Sequence, residues 1–118
     1  MTRYRIIIPD WNPCRINTLL STHYMRRSRL KRIDADLIAG YGHYTPKATV
    51  KRRVRITVTI TGRGREPDPD SFLKSTLDGL VKAKLLVDDG RKWCESEVVI
   101  ERGPRRATVI ELFEEGEE

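Results

Sequence analysis

The sequence predicts an α+β fold, a single small domain in which about four mostly antiparallel strands pack with two helices. Three observations carry that expectation. Residues 53–60 alternate Arg, Val, Arg, Ile, Thr, Val, Thr, Ile with a period of two, as a half-buried strand does. Two other segments repeat apolar residues at helical spacing. The 118 residues suffice for one core but not two, and neither an internal repeat nor an interdomain linker is visible. Residues 1–113 are read as the domain and 114–118 as an acidic disordered tail, because Glu114-Glu115-Gly116-Glu117-Glu118 has no apolar anchor.

The first strand is Tyr4 to Ile8, rich in β-branched residues and stopped by Pro9, after which Asp10-Trp11-Asn12-Pro13 reads as a turn. From Ile16, the positions Ile16, Leu20, His23 or Tyr24, Leu30, Ile33 and Leu37 recur at roughly helical spacing, with Gly40 as the stop signal. A loop from Gly40 to Pro46 leads to the alternating strand, whose aliphatic side must meet the core while its arginines and threonines face water or a ligand. Beyond Gly62-Arg63-Gly64-Arg65, the residues Phe72, Leu73, Leu77, Leu80 and Val81 share one side of a helix from Asp70 to about Leu85, with Ser71, Asp78 and Lys82 opposite. Strands Glu97 to Glu101 and Ala107 to Phe113 follow, joined by Arg102-Gly103-Pro104-Arg105 as a hairpin turn.

Charge narrows the class of partner. The net charge is +6, but residues 1–65 hold 15 Lys/Arg against 3 Asp/Glu, while residues 66–118 hold 8 against 14. A basic half beside an acidic one suits a polyanion bound next to an acidic site, and basic side chains release the counterions condensed on nucleic acid. No stretch approaches the roughly 18 apolar residues of a membrane span, and the start Met1 to Arg5 lacks a signal-peptide core. The expected address is the cytoplasm, without a membrane partner. Cys14 and Cys94 form no C-x-x-C pattern, so they are read as ordinary reduced thiols.

The chemistry concentrates between residues 68 and 89. Asp68-Pro69-Asp70 is a good helix start in its own right, because an aspartate caps orphan N–H groups and proline suits the first helical position. The same carboxylates, with Asp89 of the Asp88-Asp89 pair, are the hard oxygen ligands that Mg²⁺ takes while keeping waters for a phosphate. Lys74, one turn after Asp70, would set a cation near that phosphate, or would merely pair with Asp70 or Asp78 along the helix. An EF-hand is excluded, since Leu73 stands where that loop requires glycine. A helix from Asp70 to about Leu85 is ~22 Å long, and the next four residues reach back at most about 14 Å. Asp89 therefore does not easily rejoin Asp68 and Asp70 in its own chain. The simplest shared site is a C2 dimer with antiparallel helices, unless the helix breaks at Gly79.

At these residues the chain resembles the RusA family of Holliday-junction resolvases. The likeness lies in Asp68-Pro69-Asp70-Ser71-Phe72-Leu73-Lys74, then Leu77-Asp78-Gly79-Leu80, then Leu86-Val87-Asp88-Asp89, and more weakly in the opening strand and its proline turn. The resemblance implies that Asp68, Asp70 and Asp89 bind Mg²⁺ (or Mn²⁺), with Asp88 the alternative to Asp89, and that Lys74 assists catalysis or contacts phosphate. It further implies a homodimer that resolves four-way DNA junctions by symmetric phosphodiester hydrolysis in recombination and repair, in a bacterial or phage-borne setting. The chain has Ser71 where the family often has Asn, and Pro69 where an aliphatic residue is common. The alternatives are a non-catalytic accessory protein that binds branched DNA and a nuclease preferring other branched DNA.

Arg53, Arg55, Arg63 and Arg65 are the stronger candidates for phosphate contact, two from a strand face and two from the loop preceding the acidic pair. In the cluster Arg26, Arg27, Arg29, Lys31 and Arg32 not every side chain can share one helix face, so Arg26 and Arg27 are read as DNA-binding and the rest as solvated charge. His23 and His43 are read as ordinary helix-face and loop histidines, and Trp11 and Trp93 as core or interface residues. Tyr41 and Tyr44 sit in the loop after the first helix.

Overall fold

Four strands and two helices build the chain in the computed structural model, which describes residues 2–13, 15 and 23–114. In order they are β1 (Thr2–Pro9), α1 (Tyr24–Tyr41), β2 (Arg52–Ile60), a 3₁₀ turn (Pro69–Phe72), α2 (Leu73–Lys82), β3 (Cys94–Arg102) and β4 (Ala107–Glu114). They form one mixed sheet in the order β1-β4-β2-β3. The pairs β1/β4 and β4/β2 are antiparallel, whereas β2/β3 is parallel. A parallel pair cannot be joined by a tight turn, and the 3₁₀ turn and α2 supply the crossover. No helix among the described residues is long and apolar enough to cross a membrane.

The expected hairpin between the last two strands is corrected. The segment after Arg102 does connect β3 to β4, but β2 lies between them and pairs with both. The connection passes over the end of β2, where the Gly103 N–H donates to the Ile60 carbonyl at 3.0 Å. A Cβ at Gly103 would stand 3.0 Å from Thr59 Cγ2, so the glycine permits that crossing. Its physical cause is that the aliphatic side of β2 (Val54, Ile56, Val58) is fully buried, as expected of a strand with neighbours on both sides. At the other end, β4 runs one residue beyond the expected boundary: Glu114, read as the start of the tail, is its last residue and pairs with Thr2. Residues 115–118 lie outside the described residues.

The two helices cover one face of the sheet. Ile6, Ile8, Ile56, Ile110 and Leu112 point inward from the strands to meet Ile38 of α1 and Leu77 and Leu80 of α2. Helix α1 runs through Gly40 and ends at Gly42, whose N–H donates to the Ile38 carbonyl at 2.8 Å. Gly42 is the true stop because a Cβ there would meet Leu85 Cδ1 at 2.7 Å and the Ile38 carbonyl at 2.8 Å. The expected start at Ile16 and Leu20 lies outside the described residues. His23, expected on the helix face, is instead the N-cap, its Nδ1 accepting from the Met25 N–H at 3.4 Å. Ile33 is exposed, and the buried stripe runs through Asp34, Ala35 and Ile38. Small residues let the helices approach there: a Cβ on Gly79 would stand 2.6 Å from Ile38 Cδ1.

Helix α2 is shorter than the pattern suggested and is unbroken at Gly79. Asp68 caps the 3₁₀ turn that precedes it, as its sequence allows, and Ser71, placed by pattern on the exposed side, is buried. The helix stops because Lys84 turns to φ 63°. Its N–H donates to the Val81 carbonyl and the Leu85 N–H to the Leu80 carbonyl, the bond pair of a Schellman cap. Burial of Leu80 and Leu85 beneath that turn holds a lysine in a conformation usually left to glycine.

Candidate metal and nucleic-acid site

Asp68 and Asp70 stand together at the start of the crossover helix, both exposed. The Asp70 N–H donates to Asp68 Oδ1 at 3.1 Å, and the Ser71 hydroxyl donates to the Asp68 carbonyl at 2.6 Å. One carboxylate oxygen of Asp68 is thus engaged as a cap, and the exposed carboxylate of Asp70 projects from the first turn. Lys74 lies one turn further on, its Nζ 3.8 Å from Asp78 Oδ2. The ordinary roles of these residues, helix cap and intrahelical pair, are therefore both present. Neither exhausts the lone pairs of the two aspartates.

Asp89 occupies the other end of the same unit. It lines a shallow cavity with Asp78, Val81, Lys82 and Asp88, where the chain turns from α2 into β3. Asp89 thus stands beside the later part of α2, whereas Asp68 and Asp70 stand before its first residue. Among the described residues, no group of three His, Cys, Asp or Glu side chains could hold a metal ion within one chain. The donor set nonetheless fits Mg²⁺ in part, since one or two carboxylates suffice when water and substrate phosphate complete the shell. Asp68 and Asp70 are the two carboxylates that stand together in that way.

The basic candidates divide. Arg63 and Arg65 lie exposed on the loop between β2 and Asp68. That loop has a defined shape: Gly62 and Gly64 adopt φ of 82° and 119°, which side chains rarely tolerate. Arg102 at the end of β3 clamps it, donating to the Gly62 carbonyl at 2.9 Å and the Gly64 carbonyl at 2.7 Å. Arg53 and Arg55 instead lie on the open face of the sheet, opposite acidic residues of β3. Arg53 Nε is 4.0 Å from Glu95, and Arg55 Nε donates to Glu97 at 2.6 Å. That hydrogen bond, with the charge of Glu97, holds the Arg55 guanidinium above its ordinary pKa. Arg26 is exposed on α1; Arg27 lies on the same helix, and its side chain lies outside the described residues.

Three polar residues that the hydropathy pattern passed over hold this frame together. Arg52 is buried, donating to Glu114, to the Leu85 carbonyl at 3.0 Å and to the Pro46 carbonyl at 2.9 Å, with its guanidinium 4.9 Å from the centre of the Tyr4 ring. Asp34 is buried between α1, α2 and the turn after β1, accepting from Ser75 Oγ at 2.6 Å and Trp11 Nε1 at 3.0 Å. Arg102 is the third. Strand parity was the available signal for the two arginines, since both fall in phase with inward-facing neighbours. Burial pushes the Cys94 thiol up, and the nearby charges of Asp89 and Glu95 add to the shift.

No known family model matches the chain, and no curated protein shows detectable sequence similarity to it.

Proposed function

We propose that the chain is a Mg²⁺-dependent, structure-specific endodeoxyribonuclease of the RusA type, which resolves four-way junctions by paired phosphodiester hydrolysis as a homodimer in the cytoplasm. The observation that carries this reading is an exposed carboxylate pair, Asp68 and Asp70, immediately beyond a clamped loop that presents Arg63 and Arg65. Arg63 and Arg65 would bind the phosphate backbone and set its register, contacts that carry no sequence information. Asp68 and Asp70, with Asp89 of a second copy, would hold the ion. Its contribution when bound is to neutralise the scissile phosphate and acidify a water. Lys74 would leave Asp78 to meet charge developing on the phosphate, a change open to a side chain whose present pairing is long and exposed.

A second reading is a non-catalytic protein that binds branched DNA. It is favoured by the structural uses already found for Asp68 as a cap and Lys74 as an ion-pair partner. A labelled four-way junction, incubated with and without Mg²⁺, separates the two. Paired nicks that need Mg²⁺ and vanish in Asp70→Asn support the nuclease, and tight binding without cleavage supports the accessory protein. Stronger cleavage of flaps than of junctions would keep the chemistry and change the substrate.

A further inference from the structure

Among the described residues nothing covers the face of the sheet turned away from both helices. Its side chains come from the odd-numbered positions of all four strands, and none of them is buried. The hydrogen-bonded register sets them in rows across the sheet. One row reads Arg5, Glu111, Arg55, Glu97, and the next reads Ile7, Val109, Thr57, Val99. On the other side of the charged row lie Arg3, Phe113, Arg53 and Glu95. Ile7 and Val99 are 53% and 41% exposed, too much for side chains the fold was using.

The charged row alternates in sign, which makes it its own complement. Turn a second copy over about an axis parallel to the strands and each row is retained while its order reverses. Arg5 then meets Glu97 of the second copy, and Glu111 meets Arg55. The same operation lays Ile7 on Val99, Val109 on Thr57, Arg3 on Glu95 and Phe113 on Arg53. A turn about the perpendicular axis keeps the order within each row, and so sets like charges together when the axis follows the charged row and charged side chains on apolar ones when it lies between that row and the Ile7 row. The first pairs opposite charges along the Arg5 row and apolar side chains along the Ile7 row, and leaves only Glu101, set on Pro9 in the outermost row, without an opposite charge, so these rows select that twofold arrangement.

Charge also selects the occupant. A chain of net charge +6 repels its like over most of its surface. Here Arg3, Arg5, Arg53 and Arg55 are balanced by Glu95, Glu97, Glu101 and Glu111, so a second copy meets no net repulsion and a polyanion no net attraction. We propose that this uncovered face is the contact between two copies of the chain, packed sheet on sheet with their strands running the same way. Because the axis follows the strands, both Asp68 and Asp70 pairs emerge at the same end of the assembly. The face lies across the sheet from α2, so this contact is separate from the one that would share Asp89, and where both form it joins two such dimers into a tetramer.

This contact does not rest on the nuclease reading, and its test reads mass rather than cleavage. Sedimentation velocity on the full chain is expected to show an assembly whose mass is halved by Arg55→Glu and halved equally by Glu111→Arg. Each substitution sets like charges against each other twice. An equimolar mixture of the two variants is expected to regain the wild-type mass, because each altered charge then faces an opposite one, and native mass spectrometry should find the mixed species alone. Ile7→Glu, at an exposed position that the fold tolerates, should halve the mass even if the charge variants misfold. A wild-type monomer, a mass unchanged by Ile7→Glu, or two folded charge variants that do not recombine would each overturn the proposal. Asp70→Asn should leave the mass unaltered whether or not it abolishes nicking.

Discussion

Arg52 and Arg53 are adjacent in sequence and opposite in consequence. Replacing Arg52 with Ala removes a side chain 1% exposed that binds Glu114 twice, at 2.7 and 2.9 Å, as well as the Pro46 and Leu85 carbonyls. Leaving a buried acceptor without its donor costs about 1–3 kcal/mol, and removing one partner of a buried ion pair about 3–5 kcal/mol. Glu114 keeps 23% of its side-chain surface in water and recovers part of its hydration, which places the loss at the lower end. Arg52→Ala should therefore destabilise the chain by about 3 kcal/mol, lowering Tm by about 12 °C at roughly 4 °C per kcal/mol for a domain of this size. Arg53, half exposed beside Glu95, should cost no more than about 0.5 kcal/mol when cut to Ala. Urea unfolding followed by circular dichroism measures both. If Arg52→Ala costs under about 1 kcal/mol, or no more than Arg53→Ala, Arg52 is not the tie described here.

Gly42→Ala should destabilise by about 1–3 kcal/mol, because its Cβ would press on the Ile38 carbonyl and on buried Leu85; a neutral result in the same urea assay would show that the α1 terminus gives way freely. Cys94 should alkylate slowly in the folded chain at mildly alkaline pH and rapidly once urea is added, followed by mass mapping of its peptide. Its folded pKa is raised, so the stability it contributes is complete below the unfolded value of about 8.5 and falls as pH rises toward the folded one. Wild type should accordingly lose more stability than Cys94→Ala across that alkaline range, and parallel curves would refute the burial argument. Junction binding should weaken steeply with salt, and Arg63→Ala or Arg65→Ala should each flatten the log–log slope by about one. A slope unchanged in both variants would remove the loop from the phosphate interface.

Where local chemistry and tertiary packing agree, the sequence was readable. The alternation at 53–60 marked β2 correctly, and Asp68 and Pro69 marked the start of the crossover helix. Errors arose where a long-range contact overrode a local rule. Lys84 carries no signal for a left-handed turn, because packing of Leu80 and Leu85 imposes it. Gly103 looked like a hairpin residue, yet its service is to pass Thr59 closely, a demand created by the strand order. Asp34 and Ala35 were invisible to a search for large apolar residues, although they form the crossing of the two helices. The same alternation that put Val54, Ile56 and Val58 inside also put Arg52 there, and parity proved a better guide than residue type.

Among the described residues no three His, Cys, Asp or Glu side chains of one chain could hold a metal ion, so the proposed Mg²⁺ site takes Asp89 from a second copy. The direct measurement mixes Asp70→Asn protein with Asp89→Asn protein, allows exchange, and scores nicking of a labelled four-way junction in Mg²⁺. Random exchange places half of the molecules in mixed dimers with one intact site each, so about a quarter of the wild-type sites should return. Those sites should leave single rather than paired nicks. A mixture as inactive as its components, under conditions where the wild type cleaves, would contradict a site shared between subunits.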